Sequence, residues 1–525
     1  MLALKKNDRT IAGALLRCCW VAALLFAPFG IASANDSLPN TLKVAYFSQD
    51  VPSIVPLSPA FDPDSYSVIT QIFDSLVYFD LDGQIHPGLA LNWEMLTATR
   101  WQFTLRPGVK FHNGEDFDGK AVKFTYDYVL NPQNKAGNAW ILNTIKQIEV
   151  DDRNPLRVTI ETHKPDPMFL NRLNMFGSIC PPDYILKHGI EHFRDNPIGT
   201  GPYQFVEWDR ARKIVLKKNL NYWRSDIPII ENLEFTIMPE SEWGDALLRG
   251  EVHLIPNFAG NQTRELMIRG SSELKFEKRL VLSGYWVMLK NSGILADRRV
   301  RRAINYAVNK DDLVHYADFG NSEPLASLGK RGEFGRDEKL LPYTYEPEKA
   351  RQLLMQFAPQ QLQLKAIASD IAASVAKIIQ AQLKDVGIKV ELDIVSRSEW
   401  ANKVVGHKIK TGERADYDLA INLVDNPIFD LAFHAGLFLH SKSPWALLKD
   451  AEFDAQFEYA SEAIDRSEYE SRLQALDRYI HEEALMLFTT QRIQTVALSK
   501  QLSIPSVGLN GHLDYEILTR ASFSD

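Results

Sequence analysis

The sequence predicts a mixed α/β protein of two or three domains. Three observations carry that expectation. Residues 362–395 read as strand, helix and strand in succession. Alternating apolar segments recur elsewhere along the chain. The length, 525 residues, exceeds what a single core sustains.

Residues 1–34 read as a removable export signal. Lys5, Lys6, Arg9 and Arg17 form a basic start, an apolar run follows from Trp20 to Ile31, and Ala32, Ser33 and Ala34 supply the small residues a signal peptidase reads. The run falls short of the ~20 apolar residues of a membrane span; an uncleaved anchor is the alternative. Cys18 and Cys19 precede the run, whereas a lipoprotein cysteine would follow it, so no lipid anchor is read. Losing this segment removes four basic side chains and one acid and takes the net charge from −8 to −11. An acidic chain has no electrostatic footprint for nucleic acid. Cys180 then stands alone, reads as a small buried hydrophobe, and permits no internal disulfide. No paired Cys or His spacing suggests zinc, and no cofactor is expected. Without a Gly-x-Ser-x-Gly elbow or a triad grouping, the chain is not read as an enzyme.

Thr41 to Phe47 alternates as a half-buried strand. Arg100 to Arg106 does the same, with Trp101, Phe103 and Leu105 on one face, until Pro107 and Gly108 turn the chain. Val109 to His112 resumes the extended pattern, and Asn113-Gly114 ends it. In the 362–395 unit, Leu362, Leu364 and Ala366 alternate and Ser369 is the expected N-cap. Ile371, Val375, Ile378, Ile379, Leu383 and Val386 form one helical stripe. Gly387 suits the positive-φ C′ position, and Ile388, Val390, Leu392 and Ile394 return to period two. Such a unit predicts parallel strands joined by a right-handed crossover. A helix over Arg298 to Val308 carries Arg298, Arg299, Arg301 and Arg302 on its polar side, read as a solvated face. Asn309 is expected to cap a following helix, and Pro347 to open another.

Several segments resemble, in order, a family of large bacterial substrate-binding proteins of ABC importers, those for oligopeptides, dipeptides and nickel complexes (extracellular solute-binding protein family 5). They are Ile72 to Gly83, with Asp74 where Glu is usual, Pro87 to Trp93, and Phe103 to Gly114. Asn196 to Tyr203 (NPIGTGPY) is the most specific of them; Asn221 to Trp223, Val300 to Ala307 and Tyr345 to Ala350 follow. The resemblance spans roughly residues 41–500. It implies an α/β, two-lobed fold of the periplasmic-binding-protein type II kind, with an inserted accessory domain and the ligand cleft between the lobes. The implied divisions are residues 35–75, 186–290 and 490–525 for lobe I, 76–185 for the accessory domain, and 291–489 for lobe II. Gly199, Gly201 and Pro202 read as a tight turn rather than as ligand contacts.

The resemblance implies a monomer in the periplasm that captures a peptide, peptide-like or other small-molecule ligand by hinge closure and passes it to ABC permease subunits. A ligand sensor of the same fold, or a binder of a metal complex, is the alternative. Peptide-binding relatives carry a Gly-Trp pair followed by an Asp that takes the ligand's α-ammonium; here Leu423 and Val424 stand at those positions. Asp425 is then the nearest acid, with Asn426 beside it, and an ordinary turn residue is the other reading of Asp425. Tyr417, Trp400 and Trp445 are candidate aromatic cleft walls, with core packing as the alternative for each. His434 and His440 are six positions apart, which is no helical metal clasp, and are read as structural or surface residues.

Cleavage is expected after Ala34, leaving Asn35 as the new N-terminus. Sequencing the N-terminus of exported protein checks this; recovery only in membranes with residues 1–34 intact overturns it.

Overall fold

The computed structural model describes residues 40–47, 49–59, 65–257, 260–270, 272–506, 508–513 and 515–524; the expected export signal lies outside them. Of the twenty strands among these residues, fourteen frame the two main sheets. They are β1 (Thr41–Phe47), β2 (Ala90–Thr97), β3 (Arg100–Leu105), β4 (Ile145–Asp151), β5 (Asn154–Thr162), β6 (Tyr203–Asp209), β7 (Lys213–Lys218), β8 (Asn232–Ile237), β9 (Leu254–Ile255), β10 (Leu274–Leu289), β11 (Gln363–Ser369), β12 (Lys389–Val395), β13 (Leu419–Asp425) and β14 (Thr490–Ser499).

A 12-stranded sheet runs β12-β11-β13-β10-β14-β9-β1-β8-β7-β6, with two short strands pairing onto β10 and β14. A separate four-stranded antiparallel sheet runs β2-β3-β5-β4. The two ends of the large sheet are joined at its centre by the long strands β10 and β14, which pair antiparallel from Leu274↔Ser499 onward. Their register shifts between Leu280 and Gly284. A Cβ on Gly284 would lie 2.6 Å from the Thr490 carbonyl oxygen, so only glycine lets the two backbones approach this closely.

The 362–395 unit folds as its pattern predicts. β11 and β12 pair in parallel, Gln363↔Lys389 through Ser369↔Val395, and helix Ala373–Asp385 crosses between them with Val375, Ala376, Ile379 and Leu383 buried. Gly387 takes φ +91°. Ser369 departs from expectation: its hydroxyl donates to Asn422 Oδ1 at 2.7 Å, and a short 3-10 turn, Asp370–Ala372, precedes the helix instead of a side-chain cap. Val109 to His112 forms no strand; a single bridge, Lys110↔Asp116, is what remains of that pattern. Asn309 caps as expected, accepting from Asp311 N at 3.0 Å, and Pro347 opens helix Pro347–Leu354.

The basic cluster on helix Arg298–Ala307 is not a simple solvated face. Arg301 is buried and donates to the carbonyls of Leu295, Ala296 and Glu483. Arg302 donates to Glu482 O at 2.8 Å. Both guanidiniums thereby satisfy carbonyls at the end of helix Arg466–Glu482, where a positive charge also meets the negative pole of the helix. Cys180 is fully buried, and burial pushes its thiol pKa well up.

Four of the segments behind the family resemblance, Ile72–Gly83, Phe103–Gly114, Asn196–Tyr203 and Asn221–Trp223, meet around Asp74. Its Oδ2 accepts from Thr200 Oγ1 at 2.9 Å and Trp223 Nε1 at 3.1 Å, and its Oδ1 from Tyr222 Oη at 2.9 Å. The Arg106 guanidinium lies 4.1 Å from the centre of the Trp223 ring. His112 N donates to Gly199 O at 2.8 Å. Gly199 and Gly201 are required by close approach: a Cβ on Gly199 would stand 2.0 Å from Ile72 O.

Gly199→Ala should therefore cost about 1–3 kcal/mol through overpacking against main chain. Urea denaturation checks it; an unchanged midpoint would show that the Ile72 contact yields freely.

Candidate functional site

The carboxyl end of β13 leads into residues 426–434, and this segment meets residues from the first half of the chain. Asn171 Nδ2 donates to Ile428 O at 2.7 Å. The Trp140 and Phe433 rings stack with centroids 6.0 Å apart, and Phe79 packs on Phe429 at 4.7 Å. Arg279 bonds Asp82 at 2.6 Å. Beyond these contacts lies a cavity of about 230 Å³. Trp93, Met95 and Trp101 of the four-stranded sheet, with Asp166 and Asn171, wall one side. Phe334, Asp430, Ile464, Arg466 and Tyr469 wall the other.

The polar groups around the cavity differ in how fully they are engaged. Asp166 is used up: its Oδ1 accepts from Met168 N and its Oδ2 from Arg172 Nε at 3.0 Å. Asp430 caps helix Leu431–His434, its Oδ1 accepting from Ala432 N at 2.9 Å and from Tyr469 Oη at 3.1 Å. Its Oδ2 makes no hydrogen bond among the described residues. Burial pushes the Asp430 pKa up to about 7, against the lowering effect of these two donors. Arg466 is exposed, its guanidinium 4.3 Å from the centre of the Phe334 ring. The Trp101 indole N–H is buried without a hydrogen-bond partner.

Behind Asp430 sits a second layer of buried charge. Asn426 Nδ2 donates both to Glu333 Oε1 and to Asp430 O. Lys330 is fully buried; its Nζ lies 3.4 Å from His434 Nδ1 and 4.6 Å from the centre of the Trp286 ring. His434 Nε2 lies 3.1 Å from Asp425 O. A neutral imidazole that accepts from Lys330 and donates to Asp425 O satisfies both contacts. Burial, then Lys330, hold the His434 pKa well below its usual value. Asp477 accepts from Gly329 N and Asp337 N, and burial pushes its pKa up to about 6.

None of the site residues singled out from sequence lines the cavity wall, and only Asp425 and Asn426 adjoin the segment that carries Asp430. Asn426 is buried in the network beneath Asp430. Asp425 is half-buried at the end of β13, and among the described residues its carboxylate makes no hydrogen bond or ion pair; it acts on Lys330 through space. Trp400 is buried, with its ring 6.2 Å from that of Trp445. Tyr417 donates to Asp393 Oδ2 at 3.2 Å. His434 serves the Lys330 network, while His440 faces Glu458 at 3.5 Å; the two do not converge. Asp430, Arg466, Tyr469 and Phe334 were not visible as site residues in the sequence. The one local signal was an acid directly after Ile428-Phe429, three positions on from a turn proline.

A 12-stranded scaffold, a separate four-stranded sheet, and a cavity between residues 85–171 and residues 334–469 are the setting of a bacterial solute-binding protein. The chain belongs to the bacterial extracellular solute-binding proteins, family 5, whose middle-region model matches residues 84–439. It is 28% identical over 366 residues to the glutathione-binding protein GsiB of Pectobacterium atrosepticum, covering 68% of this chain and 70% of that one. It is 26% identical over 470 residues to the nickel-binding periplasmic protein of Escherichia coli, covering 80% and 88%. In fold it is similar to NikA from Brucella suis, solved with Fe(III)-EDTA, with a TM-score of 0.79, 24% identity and 92% and 100% of the chains covered. It is likewise similar to AppA from Bacillus subtilis, solved with a nonapeptide, with a TM-score of 0.75, 19% identity and 92% and 99% covered.

Lys330→Met should remove the cation that Glu333, Asp425 and Asp477 face and cost about 3–5 kcal/mol at pH 8. The raised pKa of Asp477 sets the sign of the pH effect. This acid destabilises the fold increasingly as pH rises toward about 6. At pH 5 it is largely protonated in the folded state, and the loss should shrink. Denaturation at the two pH values checks this; an equal loss at both would show that Asp477 does not depend on Lys330.

Proposed function

We propose that this chain is the capture component of an ABC importer: a periplasmic monomer that encloses a peptide-like or other small solute between its lobes and delivers it to a membrane permease. The observation that carries the reading is the cavity itself, walled by the proposed accessory domain (residues 85–171) on one side and by the proposed lobe II (residues 334–469) on the other. Solute sites of this kind are concave, mostly apolar, and fixed by a few polar groups; Trp93, Trp101, Phe334 and Tyr469 with Asp430, Asn171 and Arg466 fit that description. The names of the relatives, which bind glutathione or nickel, and the peptide in the AppA structure support solute capture as the class of activity. The lobe boundaries proposed from sequence accord with this reading, because β10 and β14 would carry the crossings between lobe I and lobe II. Bending at those crossings would open the cavity by hinge motion. Asp425, with its unengaged carboxylate at the end of β13, stays in the proposal as an acid that an incoming amine meets near the site. No helix among the described residues is long and apolar enough to cross a membrane.

Small-angle scattering tests closure. Protein stripped of solute should show a larger radius of gyration than protein saturated with the solute that co-purifies from its host. An unchanged radius at saturation counts against capture by closure.

A further inference from the structure

The cavity's size and charge say more about its occupant than solute capture alone requires. At about 230 Å³ it lies below the roughly 300–1,000 Å³ usual for ligand pockets, which excludes an extended oligopeptide held wholly inside. Its walls are chiefly aromatic and apolar. Of the two carboxylates lining it, Asp166 is matched by Arg172. Asp430 is a buried residue, yet its Oδ2 makes no hydrogen bond among the described residues and keeps accessible surface on the cavity it lines. The buried charges around it do not balance in its favour. Asp166 is matched by Arg172; Glu333, Asp425 and Asp477 face the single Lys330; and Asp430, its pKa up at about 7, adds a partial charge, so the acids outnumber the cations behind the cavity. Arg466, the remaining cation on the wall, lies exposed against Phe334, where solvent screens it.

We infer that the cavity takes a small organic cation, an amine with a compact apolar or aromatic body, whose charged end lies against the free oxygen of Asp430 between aromatic rings. Trp101, Trp93 and Tyr469 supply aromatic rings that attract such a cation once it is desolvated, while the Phe334 ring is already taken by Arg466. Arg466 sets orientation: the cation enters first, and an anionic or polar tail stays at the rim. The same charge layout disfavours a net anion such as glutathione, which separates this chain from relatives named for that ligand. This inference rests on the solute-capture reading and narrows it.

Calorimetry on the full exported chain, stripped of solute, tests it with three probes: tyramine, its neutral counterpart tyrosol (the ammonium replaced by a hydroxyl), and glutathione. Tyramine should bind at least tenfold more tightly than tyrosol or glutathione. Asp430→Asn keeps a carbonyl oxygen for Ala432 N and Tyr469 Oη but removes the charge, and should erase most of the tyramine preference while leaving tyrosol unchanged. If that variant does not fold, Trp93→Ala should weaken tyramine severalfold, and the wild-type comparison of tyramine with tyrosol stands by itself. Tyrosol or glutathione binding as tightly as tyramine overturns the cation inference while leaving solute capture intact. Binding of none of the three, with no contraction on adding the co-purified solute, overturns both.

Discussion

Asp74 lies buried with three donors around its carboxylate, and those donors come from separated parts of the chain: Thr200, Tyr222 and Trp223. Burying a carboxylate without partners costs several kcal/mol. Desolvation accordingly pushes the Asp74 pKa up, while the Thr200, Trp223 and Tyr222 hydrogen bonds pull it back. The fold can afford this acid only when all three donors arrive together. That condition pins the Asn196–Tyr203 turn and the Tyr222–Trp223 pair to the end of helix Tyr66–Ile72. Gly199 then presses main chain on main chain against Ile72, and Arg106 stacks on Trp223 to bring in the four-stranded sheet.

This explains why Asn196–Tyr203 and Asn221–Trp223 do not line the cavity. They encode the clamp on Asp74, not the solute. The shorter Asp in place of the usual Glu still reaches its donors here. What was legible in the sequence was local: the 362–395 unit, the glycine at 387, the caps at Asn309 and Pro347. Ser369 was misread because a long-range partner, Asn422, claims its hydroxyl. The Arg298–Arg302 cluster was misread because helix periodicity cannot show that carbonyls of another helix wait opposite. The cavity was illegible for the same reason. Asn171 and Ile428 are 257 positions apart, and Trp93 and Trp101 carry only a strand pattern until the 426–434 segment docks near them. Asp425 was singled out by its nearness to the family's acid, whereas the acid on the cavity wall, Asp430, looks like any helix cap.

The site and the centre of the large sheet are coupled through side chains. Lys330 lies against Gly284, its Cε 3.6 Å from where a Cβ would stand, and its ammonium faces His434, which holds Asp425 O. Movement where β10 and β14 cross would shift Lys330 against the loop that carries Asp430. A fully buried lysine here links the geometry of the central strands to the electrostatics of the 426–434 segment.

Cys180 has a practical consequence. Its backbone N–H donates to Thr125 Oγ1 at 3.0 Å, its side chain is sealed in the core, and its raised pKa keeps it a thiol. In a chain trimmed of residues 1–34 no other cysteine remains, so alkylating and maleimide reagents find nothing to modify in the native protein. Any cysteine placed on the surface becomes the single addressable handle. A pair of dyes set on either side of the cavity can then follow opening and closing one molecule at a time, with no native residue to be removed first.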